Sequence, residues 1–348
     1  MAIYEELTTL LEATLSPFNV YEEAGYKSHS SSYLPLHFNQ KPNIYKCVGA
    51  SITMVNIRER KYGNKKYYYI EHSFRLNGTV IKKEKYLGSS IPKNLDKIKS
   101  DFLTQVYTQK WYLSLDKIKA SYKKDIGSAT PSEKDKEIEG FMIKFTYDTQ
   151  KIEGSTLTLK ETANLLQHGV TPSNKPSRDA KEAEAHSNIF YNMLRYKKGL
   201  TLQLILEWHH TLFENTKKDI AGKIRTRQVW IHGSKFIPPS PVEVMPLLED
   251  FFSWYNKNRM KMHPVELAAL AHLKFVTVHP FIDGNGRLSR LIMNFILNRL
   301  GYPMLNISYK NRIGYYNALE RAQVKKIDSI FVAWFFRRYI KEYRRYLK

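Results

Sequence analysis

The chain has one cysteine, Cys47. That excludes an intrachain disulfide framework and a zinc site built on paired Cys and His ligands. No uninterrupted apolar run reaches about 18 residues, so no membrane-spanning helix is expected. The opening residues, MAIYEELTTLLEATLSPF, carry acids early and have no basic stretch leading into an apolar run. They do not read as a secretory signal, and a cytoplasmic protein is expected. Acidic residues are also scarce. There are 33 Asp and Glu against 55 Lys and Arg, a formal net charge of +22. Such an excess attracts polyanions, whether nucleic acid, phosphate-bearing ligands or an acidic membrane surface, but charge by itself specifies no site. The 43% hydrophobic and 13% aromatic content belongs to a globular chain, not a disordered one. A length of 348 residues suggests two domains.

The texture changes along the chain. Residues 1–20 read as a short amphipathic helix, and residues 24–43, rich in Ser, Pro and Asn, as a linker. SITMVNIRER, KKYYYIEHSFR and TVIKKEKYLG are strand-length runs, and Asn77-Gly78 is a hairpin signal between the last two. They predict a three-stranded meander over about 50–88. The following segment, DKIKSDFLTQVYTQKWYLSLDKIKASYKK, supplies a helix to cover one face. Residues 1–125 thus form a small basic α/β module. From residue 131 the pattern is helical. Thr158-Leu159-Lys160-Glu161 is a capping box and Gly169 a stop. Ser177 and Thr201 are candidate caps, and Pro264 fits a first helical position.

The stretch HPFIDGNGRLSR, His279–Arg290, lies between a buried apolar segment (Leu267, Ala268, Leu270, Ala271, Phe275, Val278) and an expected amphipathic helix (Leu288, Leu291, Ile292, Phe295, Ile296). Asp283-Gly284-Asn285-Gly286 offers unobstructed backbone N–H groups at the positive end of a helix, which is an anion site. Arg287 and Arg290, three apart, can face one ligand. Asp283 is the sole acid, suited to a divalent cation that bridges phosphates. His279 is the one side chain here that can act as a neutral base near pH 7. Together these are the parts for attack on a phosphate ester. A Walker loop is excluded because GxxxxGK[ST] is absent. A dinucleotide fingerprint lacks its third glycine, and an EF-hand loop would need an oxygen ligand where Arg287 stands.

HPFIDGNGRLSR resembles the Fic family signature HPFx[D/E]GNGRxxR at every defined position, and the similarity covers roughly residues 131–340. The resemblance implies a mainly α fold: an all-helical Fic core with a β-hairpin flap, preceded by the basic α/β module. It also implies protein AMPylation, in which AMP is transferred from Mg-ATP to a Ser, Thr or Tyr hydroxyl of a target protein and pyrophosphate is released. His279 would deprotonate the hydroxyl and Asp283 would bind Mg²⁺. Gly284, Asn285 and Gly286 would hold the phosphates, with Arg287 balancing their charge and Arg290 reaching the γ-phosphate. Phe281 would anchor the loop. TQKIEGSTLTLKE, from Thr149, resembles the family's inhibitory pattern [S/T]xxxE[G/N] within segment 146–156. Glu153 would pair with Arg290 and block the γ-phosphate seat. Segment 222–240, with Val229, Trp230 and Ile231 as a strand stopped by Pro238-Pro239, resembles the flap that clamps the target. RIGYYNALERA resembles a segment near the adenine, so Tyr315 and Tyr316 would line the base. Gln323 stands where many relatives carry Asn. Some relatives instead remove AMP, and Glu153 leaves that reaction open.

The N-terminal sheet suggests a different function. Arg58, Arg60, Lys61, Lys65, Lys66, Arg75, Lys82, Lys83 and Lys85 crowd it, with Tyr67, Tyr68, Tyr69 and Phe74 interleaved. Basic groups with aromatics on strands suit single-stranded nucleic acid. The alternative reading is therefore a nucleic-acid-binding regulator. The candidate partners are ATP, a hydroxyl-bearing target protein, nucleic acid and a second copy of the chain. The other histidines (His209, His210, His272) read as core or surface residues, because none has an acidic or Cys partner at ligand spacing.

Overall fold

The computed structural model describes residues 55–76 and 79–348. The expected helix 1–20, the linker 24–43, Cys47 and the Asn77-Gly78 turn lie outside the described residues. The first described elements are the expected antiparallel meander: β1 (Asn56–Tyr62), β2 (Lys65–Leu76) and β3 (Thr79–Gly88), in the order β1-β2-β3. Side chains alternate between faces, so register sorts the aromatics. Ile70 and Phe74 are buried and join the core with Phe102, Leu103 and Val106 of α1 (Leu95–Tyr107). Tyr67 and Tyr69 point to the opposite face. Tyr68, on the Phe74 side, donates to Glu59. The tyrosines and Phe74, read from sequence as one interleaved set, thus divide between two faces.

α1 passes through one widened turn, Thr108–Tyr112, into α2 (Leu113–Ser128). Then follow α3 (Pro131–Ile152), α4 (Leu159–His168), α5 (Ser177–Arg195), α6 (Leu202–Phe213), α7 (Pro241–Asn258), α8 (Pro264–Val278), α9 (Asn285–Arg299), α10 (Arg312–Lys325) and α11 (Asp328–Glu342). α8 is buried on nearly every side and packs against α7, α9 and α11. No helix among the described residues is long and apolar enough to cross a membrane.

Local chemistry places most of the helix ends. Thr158 and Glu161 close the capping box of α4, and Gly169 ends that helix at φ 68°. Thr201 caps α6 by accepting from the Leu204 N–H, and Pro264 opens α8. Three expectations are corrected. Ser177 is already helical, and Pro176 occupies the cap position with no side-chain cap bond. The fixed φ of proline sets the entry one residue early. α9 is not amphipathic: Asn285 and Arg287–Leu297 are buried, because its polar side chains find partners inside the protein. Residues 222–240 contain no strand. The segment doubles back through a turn at Ile231–Ser234, and Gln228 donates across it to the Pro238 carbonyl at 3.0 Å. Pro238 and Pro239 have no N–H to give a ladder, so the course of a hairpin survives without its backbone pairing.

Removing the α4 cap should cost about 1 kcal/mol. Urea unfolding of Thr158→Ala should show a lower midpoint with unchanged slope, and an unchanged midpoint would mean that the cap contributes nothing.

Candidate active site

α8 and α9 bring the motif to the centre of the fold. α8 ends at His279, which has the left-handed conformation (φ 51°). That conformation turns the chain out of the helix and away from the core. The loop is then anchored from several sides. Phe281 is fully buried and stacks on His209 with ring centres 3.8 Å apart. The Asn285 side chain accepts from the Phe281 N–H at 2.9 Å and donates to its carbonyl at 2.8 Å. Asn285 therefore braces the loop with its amide, which leaves only its backbone for an anion. Gly284 sits at φ 84°, and a Cβ there would lie 2.7 Å from the Phe213 ring. The N-terminus of α9 has no side-chain cap. Its first N–H groups are therefore open to a ligand.

His279 donates from Nδ1 to the Val276 carbonyl at 3.2 Å, since a carbonyl can only accept. Nε2 is thus the basic nitrogen. Burial lowers the His279 pKa from 6.5, the Val276 bond opposes that shift, and Arg225 adds to it. The ring is therefore neutral at pH 7 and able to accept a proton.

The two arginines are both buried, but they face different partners. Arg287 donates to Asp283 (2.9 Å), Gln150 (3.1 Å) and Glu182. Arg290 donates to Glu153 at 2.6 Å, to Thr149 Oγ1 at 3.1 Å and to Tyr315 at 3.3 Å. Glu153 is the C-terminal cap residue of α3, and its carboxylate lies over the start of α9. A Cβ added to Gly286 would come within 2.3 Å of Glu153 Oε1.

Asp283 accepts from Lys217 at 2.5 Å as well as from Arg287. Burial alone would raise its pKa, but Arg287 and Lys217 outweigh it and keep the carboxyl ionised. A cleft of about 150 Å³ opens here, lined by Gln150, Glu153, Arg178, Asp179, Glu182, Lys217, Asp283 and Arg287 among others. No group of three or more His, Cys, Asp or Glu able to hold a metal occurs among the described residues. A metal at Asp283 would take its other ligands from phosphate and water, as magnesium commonly does. The residues present fit that arrangement.

The remaining candidates are scattered around this centre. Tyr315 is fully buried between Arg290 and His272, so it supports Arg290 and cannot stack on a ligand. Tyr316 is exposed, and its hydroxyl donates to the Ile152 carbonyl, next to Glu153. Gln323 donates to Thr277. Trp230 is 75% exposed, while Val229 and Ile231 are half-buried. Sequence reasoning missed the scaffold beneath. His209 donates from Nε2 to the Asp283 carbonyl and accepts the Gly222 N–H at Nδ1. Arg225 ties the His279, Arg227 and Pro239 carbonyls together at 2.7, 3.1 and 2.6 Å, which locks segment 222–240 to the loop between α8 and α9. A histidine or an arginine that serves backbone carbonyls far away in sequence carries no local signal.

The chain is similar to known proteins in both sequence and fold. Residues 199–297 match the Fic/DOC family model. Protein adenylyltransferase fic-1 of Caenorhabditis briggsae is 38% identical over 186 residues, which is 52% of this chain and 36% of that protein. The Drosophila ananassae protein adenylyltransferase Fic is 38% identical over 186 residues, 51% of this chain and 36% of that protein. A Fic domain-containing signalling protein from Bacteroides thetaiotaomicron has a similar structure, with a TM-score of 0.61 and 29% identity, over 67% of this chain and 96% of that one. Fic-1 from Caenorhabditis elegans gives a TM-score of 0.59 and 27% identity over 74% and 77%. The chain spans about a third of the length of the curated relatives it matches.

Two outcomes test the scaffold. Gly284→Ala should destabilise the protein, because the left-handed backbone and the Phe213 ring both oppose a Cβ. A melting temperature equal to wild type would contradict this. Burial pushes His209 down to about 4 and His186 to about 3, from 6.5. Between pH 6.5 and about 4 the unfolded chain takes up protons that the folded chain refuses, so stability falls as pH drops through that window. Thermal melts across it should show the loss. His209→Gln should make the slope shallower, and an unaltered slope would assign the effect to another group.

Proposed function

We propose that the chain, whose residues 199–297 match the Fic/DOC family model, is an autoinhibited protein AMPylase, using Mg-ATP to adenylylate a hydroxyl on a target protein. One observation carries the reading: a neutral imidazole with a free Nε2 stands beside an uncapped helix N-terminus, with two buried arginines in the same turn of α9. His279 takes the proton of the incoming Ser, Thr or Tyr hydroxyl at Nε2. The hydroxyl oxygen bonds to the α-phosphorus of ATP, the bond from that phosphorus to the bridging oxygen breaks, and pyrophosphate leaves. The backbone N–H groups of Asn285, Gly286 and Arg287 hold the phosphate oxygens. They are fixed before the substrate arrives, so they stabilise developing charge at no cost of reorganisation. Asp283 would hold the metal, which when bound would neutralise charge on the phosphates, and Lys217 would give up that carboxylate to it. The segment 222–240, pinned by Arg225, supplies extended backbone beside His279 for the target chain.

Inhibition rests on the different standing of the two buried ion pairs. Glu182 is 9% exposed at its side chain and shares Arg287 with Asp283 and Gln150. Glu153 is 26% exposed at its side chain, and without it Arg290 keeps only the neutral acceptors Thr149 and Tyr315. Losing one partner of a fully buried pair costs about 3–5 kcal/mol, which the γ-phosphate itself would have to offset. Glu153, the more exposed carboxylate at the end of α3, is thus the removable partner, and it covers the place at Gly286 where the terminal phosphate would sit.

Labelling with α-³²P-ATP tests both claims together. Wild type should transfer weakly, Glu153→Gly at least tenfold faster, and His279→Ala with Glu153→Gly not at all. Equal label in all three would end the mechanism. In the Glu153→Gly background the rate should hold down to below pH 6.5, the direction set by burial of His279. A rate that halves at or above pH 6.5 would mean that burial does not lower the pKa of the base.

A further inference from the structure

The sheet carries an aromatic surface that adenylylation does not use. Tyr62 on β1, Tyr67 and Tyr69 on β2 and Tyr86 on β3 share the face turned away from Ile70 and Phe74. Their rings form one ladder across all three strands. Tyr62 lies 5.7 Å from Tyr67, Tyr67 lies 6.2 Å from Tyr86, and Tyr86 lies 5.3 Å from Tyr69. Arg60 adds its guanidinium 4.2 Å from the centre of the Tyr69 ring. The ladder is open at both flanks, with Tyr62 61% and Tyr86 51% exposed.

Charge on the same face is arranged unevenly. Glu71 and Glu84 are bridged by Arg58, Arg60 and Lys82, so at that end the acids are cancelled with one cation to spare. Lys65, directly opposite Tyr62, has no acidic partner among the described residues and is exposed. Over the three strands together, nine basic residues stand against three acidic ones. An exposed patch of rings with little aliphatic surface and a surplus of cations favours flat, unpaired bases on an anionic backbone over an apolar protein partner, whose side chains would need a greasy centre.

The geometry points to this face as a platform for single-stranded nucleic acid, with bases stacked on the tyrosine ladder and phosphates met by Arg58, Arg60 and Lys65. Stacking tolerates any sequence, because every base has a π-face. A duplex keeps its bases inside and offers this face only its backbone. The platform therefore discriminates strands by whether they are paired, and it contacts few phosphates.

Fluorescence anisotropy on the full chain tests this. The probes are labelled oligouridylate and oligothymidylate of about 16 nucleotides, and a duplex of equal length. Single strands should bind at least tenfold more tightly than the duplex, with a log–log salt slope of about −2, which corresponds to two or three phosphates. The RNA and DNA arms decide which backbone the site prefers. Tyr62→Ala with Tyr86→Ala should weaken binding at least tenfold, and the paired Phe variants, which keep the rings, should bind as wild type does. Matching thermal melts would establish that the Ala variant folds. No binding at low salt would overturn the proposal and leave the face to a protein partner. Equal binding by the Ala variant, or a duplex bound as tightly as the strand, would also overturn it, since either result means that diffuse charge is the cause.

Discussion

Two guanidinium groups, three residues apart on one helix, are taken wholly out of water. Burying a charge is tolerable only when it is paired and hydrogen-bonded. That requirement organises the centre of this protein. α3 contributes Thr149, Gln150 and, at its end, Glu153. α5 contributes Glu182, and the loop before α9 contributes Asp283. Gln150, Glu153, Glu182 and Asp283 also line the polar cleft. The helices are packed so that acceptors converge on Arg287 and Arg290, and the cleft is what remains between them.

The loop between α8 and α9 is rigid for a second reason. Its conformation is fixed by partners on other elements: His209 on α6 through the Asp283 carbonyl, Phe213 through contact with Gly284, and Arg225 through the His279 carbonyl. A cradle for phosphate works by standing ready before charge develops. Here a stacked histidine, an arginine that serves three carbonyls and an asparagine side chain turned back on Phe281 hold the loop, and the proposed function would draw on that rigidity. The proposed inhibition would use the same geometry: Glu153 is at once the terminus of α3, a partner of Arg290 and the group that covers Gly286, so fraying of the end of α3 would uncover the start of α9. Tyr316, which holds the Ile152 carbonyl, links α10 to that same end.

Much was legible from the chain alone wherever the signal is local. The capping box at Thr158, the stop at Gly169, the cap at Thr201, Pro264 at a helix start and the three-stranded meander are all read within a few residues. They appear as read because backbone hydrogen bonding and φ preferences are settled over that range. His279, Asp283, Gly284 and Gly286 could be picked out as candidates because their chemistry is concentrated in twelve consecutive residues. Local reading failed where long-range partners decide. α9 looked amphipathic because Arg287, Arg290 and Asn294 are polar, yet each finds hydrogen-bond partners inside. VWI looked like a strand, but Pro238 and Pro239 deny it a mate.

By itself the sequence determined most of the helix ends read from it, the meander and the positive charge, all of which follow from residue type and near neighbours. The pairing of Glu153 with Arg290 was expected from the family resemblance, and it is present. Only the tertiary structure decided that Glu182 and Asp283 meet Arg287, that Tyr315 supports from within while Tyr316 faces out, that the Asn285 side chain braces the loop, and which tyrosines share one face of the sheet. Those outcomes depend on which surfaces meet when helices and strands pack. Contacts between residues more than a hundred positions apart, such as Glu182 with Arg287, have no representation in any short window of sequence.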